Sequence, residues 1–237
     1  MAGKKKSGLL IVLEGPDGCG KSTQAGLLVE WMKSRMHLPV EHVREPGSTR
    51  VAEEMRRVLQ LDPLNAMSAK TEAYLYCAAR SDLYEKIIVP RLMAVTNVVS
   101  ERDYSSTLAY QAGVEGGFGL DELHAMCRAS IGMVVPDLTI FYRPEDPARA
   151  LARGTKGRKA DRMEAKGAKF HKNVYEMYFK ILPEFLEERE GRKIVIINST
   201  PEPTPKAGIE RAHQETKRVV EEMLRRNGRM KALDGTG

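Results

Sequence analysis

Short apolar runs, each closed by a turn or a charged residue, recur along the 237 residues: Leu9–Leu13, Val98–Val99, Leu138–Tyr142 and Ile194–Ile197, with a weaker one at Val40–Val43. They mostly do not alternate with polar positions, the pattern of strands covered on both faces of a parallel sheet. Helical spacing fills the stretches between them. Thr23–Met36 sets Leu27, Leu28, Trp31 and Met32 on one side, and Val51–Leu61 does the same with Val51, Met55, Val58 and Leu59. Thr71–Val95 is a long helical stretch expected to break at Pro90, and Leu120–Ile131, Phe170–Glu188 and Ala207–Arg226 complete the set. Alternating strands and helices predict an α/β fold, a doubly wound five-stranded parallel sheet with helices on both faces. No repeat or long linker divides the chain, so residues 1–237 read as one domain. The stretch from Arg153 to Arg162 is basic, contains glycine and lacks any apolar period. With the residues that follow, to about 168, it predicts a short mobile lid.

The first apolar run leads into Gly15-Pro16-Asp17-Gly18-Cys19-Gly20-Lys21-Ser22, a full match to G-x-x-x-x-G-K-[ST] in the strand-to-helix setting the motif requires. Glycines there let backbone N–H groups curl around phosphate oxygens above a positive helix end. Gly15 to Thr23 therefore predict ATP or GTP binding, with Lys21 on the β- and γ-phosphates and Ser22 on Mg²⁺. The guanine-reading N-K-x-D motif is absent, and no strand is followed by D-x-x-G, which argues against a GTPase. Cys19 in the loop predicts that alkylation there blocks ATP binding.

Further along stand Arg44-Glu45-Pro46-Gly47, Tyr76-Cys77-Ala78-Ala79-Arg80, Glu101-Arg102, Ser106-Thr107-Leu108-Ala109-Tyr110-Gln111, Pro136-Asp137-Leu138-Thr139-Ile140 and Asp161-Arg162-Met163-Glu164. In this order the motifs resemble the thymidylate kinase family over roughly residues 9 to 225. The resemblance implies a P-loop kinase that transfers the γ-phosphoryl of ATP to dTMP, giving dTDP for dTTP synthesis, as a homodimer. It implies that Asp17 receives the acceptor's 3′-hydroxyl, that Glu45 and Pro46 shape the acceptor-phosphate end of the cleft, and that Arg56 reaches that phosphate. Tyr76 would stack on thymine and Arg80, one helical turn on, would bond the base edge. Arg102 would hold the acceptor phosphate bidentately. Ser106, Thr107 and Gln111 would line the pyrimidine, and Tyr110 would crowd a 2′-hydroxyl; Ser106 and Thr107 serve equally well as helix N-caps.

Phosphoryl transfer needs a cation over the equatorial oxygens. Position 18 is glycine, so the loop offers no arginine there, and the resemblance is to the bacterial arrangement with a lid arginine. Arg153 and Arg158 are the candidates, with Lys159 and Arg162 beside them, and the sequence does not separate the first two. Two departures stand out. Glu101 occupies the place of the family's usual aspartate, with Asp103 close by, and Ser48 follows R-E-P-G where a second glycine is usual. Glu101 is the expected carboxylate for the metal and the catalytic geometry.

Charge adds one exclusion. The net charge of +6 resides in two tails, residues 1–8 and 225–237, because the 31 basic and 31 acidic residues between them cancel. A neutral body with basic ends is no duplex-binding footprint, so no specific nucleic-acid binding is expected. Three cysteines without a C-x-x-C pair indicate neither a disulfide framework nor a zinc site. No apolar run spans a membrane or a signal sequence, so the expected location is cytoplasmic. Two other readings compete: a kinase for another deoxypyrimidine monophosphate, such as dUMP or a 5-substituted analogue, and an ATP-binding regulator silenced by Glu101.

Overall fold

The computed structural model describes residues 7–61, 67–157, 159–200 and 204–228. Arg158, the first six residues and the tail from 229 lie outside the described residues. In chain order the elements are β1 (Leu10–Glu14), α1 (Lys21–Ser34), β2 (Val40–Arg44), α2 (Arg50–Leu61), α3 (Ala69–Leu83), α4 (Val89–Met93), β3 (Asn97–Glu101), α5 (Tyr104–Gln111), α6 (Leu120–Ile131), β4 (Leu138–Arg143), α7 (Pro147–Thr155), α8 (Ala168–Ile181), β5 (Ile194–Asn198) and α9 (Pro205–Arg226). All five expected strands are present, in one parallel sheet ordered β2-β3-β1-β4-β5. β1 lies at the centre with all five residues buried, while β2 and β5 expose part of each strand at the edges.

Strand alternation divides the core. Leu10 and Val12 face one cluster with Val98, Leu108, Phe141 and Tyr178, under α3, α5, α6 and α8. Ile11 and Leu13 face the other with Leu28, Met32, Ile140 and Val220, under α1 and α9. The chain leaves β1 toward β2 on one side and later crosses from β3 to β4 on the other. That reversal opens a crevice beyond the carboxyl ends of β1 and β3, where such sheets hold ligands. Register brings Leu13 level with Glu101, and the Arg102 N–H donates to Leu13 O at 2.9 Å. The residues after the two strands therefore stand side by side.

Three expectations need correction. The helical path from α3 does not break at Pro90; it widens into a π-turn over Tyr84–Ile88 and continues into α4. A wider turn accommodates a proline that lacks an N–H and crowds the carbonyl one turn back. The same device recurs at Leu182–Glu188 around Pro183. Helix α5 shows no amphipathic period because nearly all of it is buried, and its N-cap is Asp103, which accepts from Ser105 N at 2.7 Å, rather than Ser106 or Thr107. Finally, Arg153 lies in the last turn of α7, which Asp146 caps and Pro147 opens, so the irregular segment begins after Thr155 and runs to a 3₁₀ turn at Glu164–Lys166.

Asp103 also meets Arg192 at 2.5 Å, and both side chains are fully buried. Arg192 bonds Glu190 at 2.8 Å and lies 4.3 Å over the Tyr104 ring. Removing one member of such a pair strands the other charge. Asp103→Ala is expected to destabilise the protein by about 3–5 kcal/mol, read as a lowered urea midpoint at unchanged slope.

Candidate active site

The loop between β1 and α1 turns on glycines at positive φ, Gly15 at 139°, Gly18 at 74° and Gly20 at 95°. Inside it the Lys21 ammonium donates to Gly15 O and Pro16 O, each at 2.8 Å. Gly18 packs straight against α7: a Cβ there would lie 1.8 Å from Ala150 O. The absence of an arginine at position 18 thus has a steric cause. The helix that forbids it carries Arg153, which lines a cleft of about 960 Å³ beside the loop. Arg162 also lines the cleft but is committed to Leu59 O at 2.8 Å and to Glu72. Cys19, whose alkylation is expected to block ATP binding, is only 4% exposed and packs into the α1 side of the core, which restricts a reagent's access to the thiol.

The cleft's opposite wall is built on Arg102, a non-glycine residue at φ 72°. Its guanidinium donates to Asp17 at 2.5 Å, Ser106 Oγ at 2.7 Å, and Gly15 O and Tyr178 OH at 3.2 Å. Tyr110 OH completes the Asp17 carboxylate at 2.8 Å, and the Tyr110 ring lies 5.4 Å from the guanidinium. Burial would raise the Asp17 pKa, but Arg102, Lys21 and the Tyr110 hydrogen bond outweigh it and hold the group at about 2. Beneath them Glu14, fully buried, accepts from Asp103 N, Ser106 and Tyr178 OH. Its pKa is raised, first by burial and then by the Asp103 charge. Sequence reasoning read Glu14 only as the end of an apolar run; a carboxylate closing a buried strand was the available signal.

Ser22 Oγ donates to Glu101, which also meets His42 Nε2 at 3.0 Å. A hydroxyl and a carboxylate side by side are oxygen donors of the kind Mg²⁺ prefers, with phosphates and waters as the remaining ligands. Among the described residues no group of three or more His, Cys, Asp or Glu side chains could hold a metal alone. Glu101, which the family resemblance sets in the place of the usual aspartate, stands beside Ser22, whereas the Asp103 carboxylate is buried in its pair with Arg192. Ser48 adopts φ 71°, the conformation a second glycine would take freely, and is fixed there by Arg44 N at 2.8 Å and by Glu53.

Tyr76, Arg80, Thr107 and Gln111 line the cleft together. Arg80 is buried, donating to Glu45 at 2.6 Å and Thr107 Oγ1 at 2.7 Å. Burial lifts Glu45 to about 7 against the pull of Arg80, and its second oxygen has no protein partner. Arg56 lines the cleft and donates to Pro46 O at 2.9 Å. A second cleft opens at the ends of β4 and β5, where Arg143 donates to Asn198 at 2.8 and 3.0 Å and Tyr175 and Phe179 form the side. The sequence reading did not find this one, because its residues belong to no motif.

The profile of the thymidylate kinase family matches residues 13–203. The chain belongs to the thymidylate kinase family. It is 36% identical to the thymidylate kinase of Symbiobacterium thermophilum over 93% of this chain and 96% of that one. Identity is 42% to the enzyme of Lactobacillus delbrueckii subsp. bulgaricus over 73% and 82% of the two chains. Among solved structures, the thymidylate kinase from Ehrlichia chaffeensis superposes with a TM-score of 0.70 at 25% identity, covering 90% of this chain and 99% of that one. Of the residues expected from the family's motifs, Asp17, Gly18, Gly20 to Thr23, Glu45, Pro46, Arg56, Tyr76, Arg80, Glu101, Arg102, Ser106, Thr107, Tyr110, Gln111 and Arg153 line this one cleft, while Gly15, Pro16 and Cys19 do not.

The depressed Asp17 pKa carries a sign. A carboxylate below its ordinary value of 3.8 adds stability above that pH and loses it as pH falls through about 2. Asp17→Asn is expected to cost on the order of 2 kcal/mol at pH 7. Urea unfolding at pH 7, 4 and 3 should show the gap between variant and wild type narrowing below pH 4.

Proposed function

We propose that the chain phosphorylates dTMP to dTDP with Mg-ATP, in the supply of dTTP, and that the residues gathered in the cleft do this work. One observation carries the assignment of roles. The Arg102 guanidinium touches the phosphate loop itself, at Gly15 O and Asp17, so an acceptor phosphate held by Arg102 is held against the donor loop. In-line transfer requires that adjacency. Loop N–H groups and Lys21 grip the β- and γ-phosphates. Arg153 adds positive charge from the α7 side as negative charge spreads over the transferred group. Ser22 and Glu101 would hold Mg²⁺, which supplies charge neutralisation between the phosphates. Arg56 and Arg102 face the acceptor phosphate, and Asp17 takes the 3′-hydroxyl beside the Tyr110 ring.

The base end follows from Tyr76 for stacking and Arg80, Thr107 and Gln111 for the ring edge. The Arg143 cleft receives the adenine of ATP, an aromatic ring over a planar cation held by Asn198. The silent-regulator reading loses its footing because Glu101 stands beside Ser22 with its carboxylate in place. Residues 159–167 serve as the lid. We further propose a cytoplasmic homodimer; none of the described helices is long and apolar enough to cross a membrane. Tyr74, 56% exposed and edge-on to Phe118, gives a second copy an apolar patch to cover.

ADP release with Mg-ATP and dTMP, dUMP, dCMP, UMP, AMP and GMP tests the assignment. Turnover should be strongest with dTMP. Arg102→Ala should lower kcat/KM for dTMP at least about 100-fold, the loss of a charged transition-state contact. Arg143→Ala should raise KM for ATP while leaving KM for dTMP within twofold. Silence across the panel, with ATP still bound, would defeat the assignment.

A further inference from the structure

Glu72, on α3 one turn before Tyr76, has no part in the chemistry above, yet it is 4% exposed and the most heavily bonded carboxylate near the base wall. Oε1 accepts from Gln111 Nε2 at 2.9 Å, and Oε2 accepts from the guanidinium of Arg162. Lys166 reaches both oxygens, at 3.3 and 3.4 Å. Two of these partners belong to the lid segment, which is also sewn to α2 by Arg162 N to Gln60 O at 3.2 Å and Arg162 Nε to Leu59 O at 2.8 Å. The third is the base-reading glutamine.

An ionised carboxylate only accepts hydrogen bonds, so it fixes which end of a neighbouring carboxamide faces it. Against Glu72 the Gln111 amide must turn its nitrogen inward. The end left for a ligand is the oxygen, an acceptor. Thymine and uracil carry an N3–H donor at the matching ring position; cytosine carries a lone pair at N3 and an amino group at C4. A buried acceptor facing a lone pair is an unmade hydrogen bond plus repulsion, the arrangement by which polar sites reject close analogues.

We propose that Glu72 is a positioning residue that sets the Gln111 amide for bases bearing an N3–H, and that it ties this reader to the lid through Arg162 and Lys166. The proposal rests on the assignment of the base to the Tyr76–Gln111 wall. It goes further in naming what selects the base and in linking that selection to closure. Arg80 still presents donors to the C4 substituent, so Glu72 carries part of the discrimination against cytosine rather than all of it.

The test compares kcat/KM and calorimetric affinity for dTMP, dUMP and dCMP in the full-length wild type, Glu72→Gln, Glu72→Asp and Gln111→Ala. Glutamine at 72 offers both a donor and an acceptor and frees the Gln111 amide to turn. Its preference for dTMP over dCMP should fall about tenfold. Glu72→Asp keeps an acceptor-only group and should hold the preference within threefold. The dTMP to dUMP ratio should stay within twofold throughout, since both carry N3–H. Weakened lid contacts lower turnover for every acceptor alike and cancel from the ratio. An unchanged dTMP to dCMP ratio in Glu72→Gln would overturn the proposal. Unchanged dTMP affinity in Gln111→Ala would instead overturn the placement of the base on which it rests. The wild type gives a reading that needs no variant: 3-methyl-dTMP, which lacks the N3–H, should bind at least tenfold more weakly than dTMP, and equal binding would overturn the proposal.

Discussion

One part-buried guanidinium organises this cleft. Arg102 follows β3 at a backbone conformation that a side-chain-bearing residue rarely adopts, and its hydrogen bonds run to the phosphate loop, to α5 and to α8. Desolvating a cation is costly unless its neighbours replace the lost water. Asp17 replaces it directly, while Glu14 reaches it through Ser106 and Tyr178 and lies 3.9 Å away. Because Asp17 is itself part of the loop, the pair fixes the loop relative to β3 before any nucleotide arrives. On the proposed assignment, the clamp for one substrate and the cradle for the other are thus one structure.

The same logic of shared partners extends outward. Asp103, next in sequence, buries its carboxylate, caps α5 and pairs with Arg192, so α5 is anchored at the end that carries Ser106 and Thr107. Gly18 lets α7 lie on the loop, which brings Arg153 in from the far side. Glu72 joins Gln111 on α5 to Arg162 in the segment proposed as the lid. The Asp103 and Glu72 carboxylates each satisfy cations that burial would otherwise strand, and shared polar contacts of this kind stiffen a site.

Much of this was legible in the sequence, for identifiable reasons. The five strands announced themselves because both faces of each central strand are apolar, and Gly15 to Ser22 because its geometry admits few other residues. Helix α5 gave only a cap signal, and that at the wrong residues, because Tyr104, Leu108 and Tyr110 are buried alongside Ser105, Thr107 and Gln111, leaving no amphipathic stripe. The roles of Glu14, Glu72 and Tyr178 depend on contacts with residues 39 to 164 positions away, which no local pattern reports. Glu101 shows the opposite case: its identity departs from the family's usual aspartate, yet its carboxylate still reaches Ser22.

If the Asp17–Arg102 pair is what prepares the acceptor clamp, the two side chains cannot act independently on dTMP. The direct measurement is a double-mutant cycle of Asp17→Asn and Arg102→Lys, read as dTMP affinity by calorimetry at pH 7. Each single variant should bind more weakly, and the double variant should fall short of the product of the two losses by at least about tenfold, a coupling of ~1.4 kcal/mol. Losses that simply multiply would contradict it.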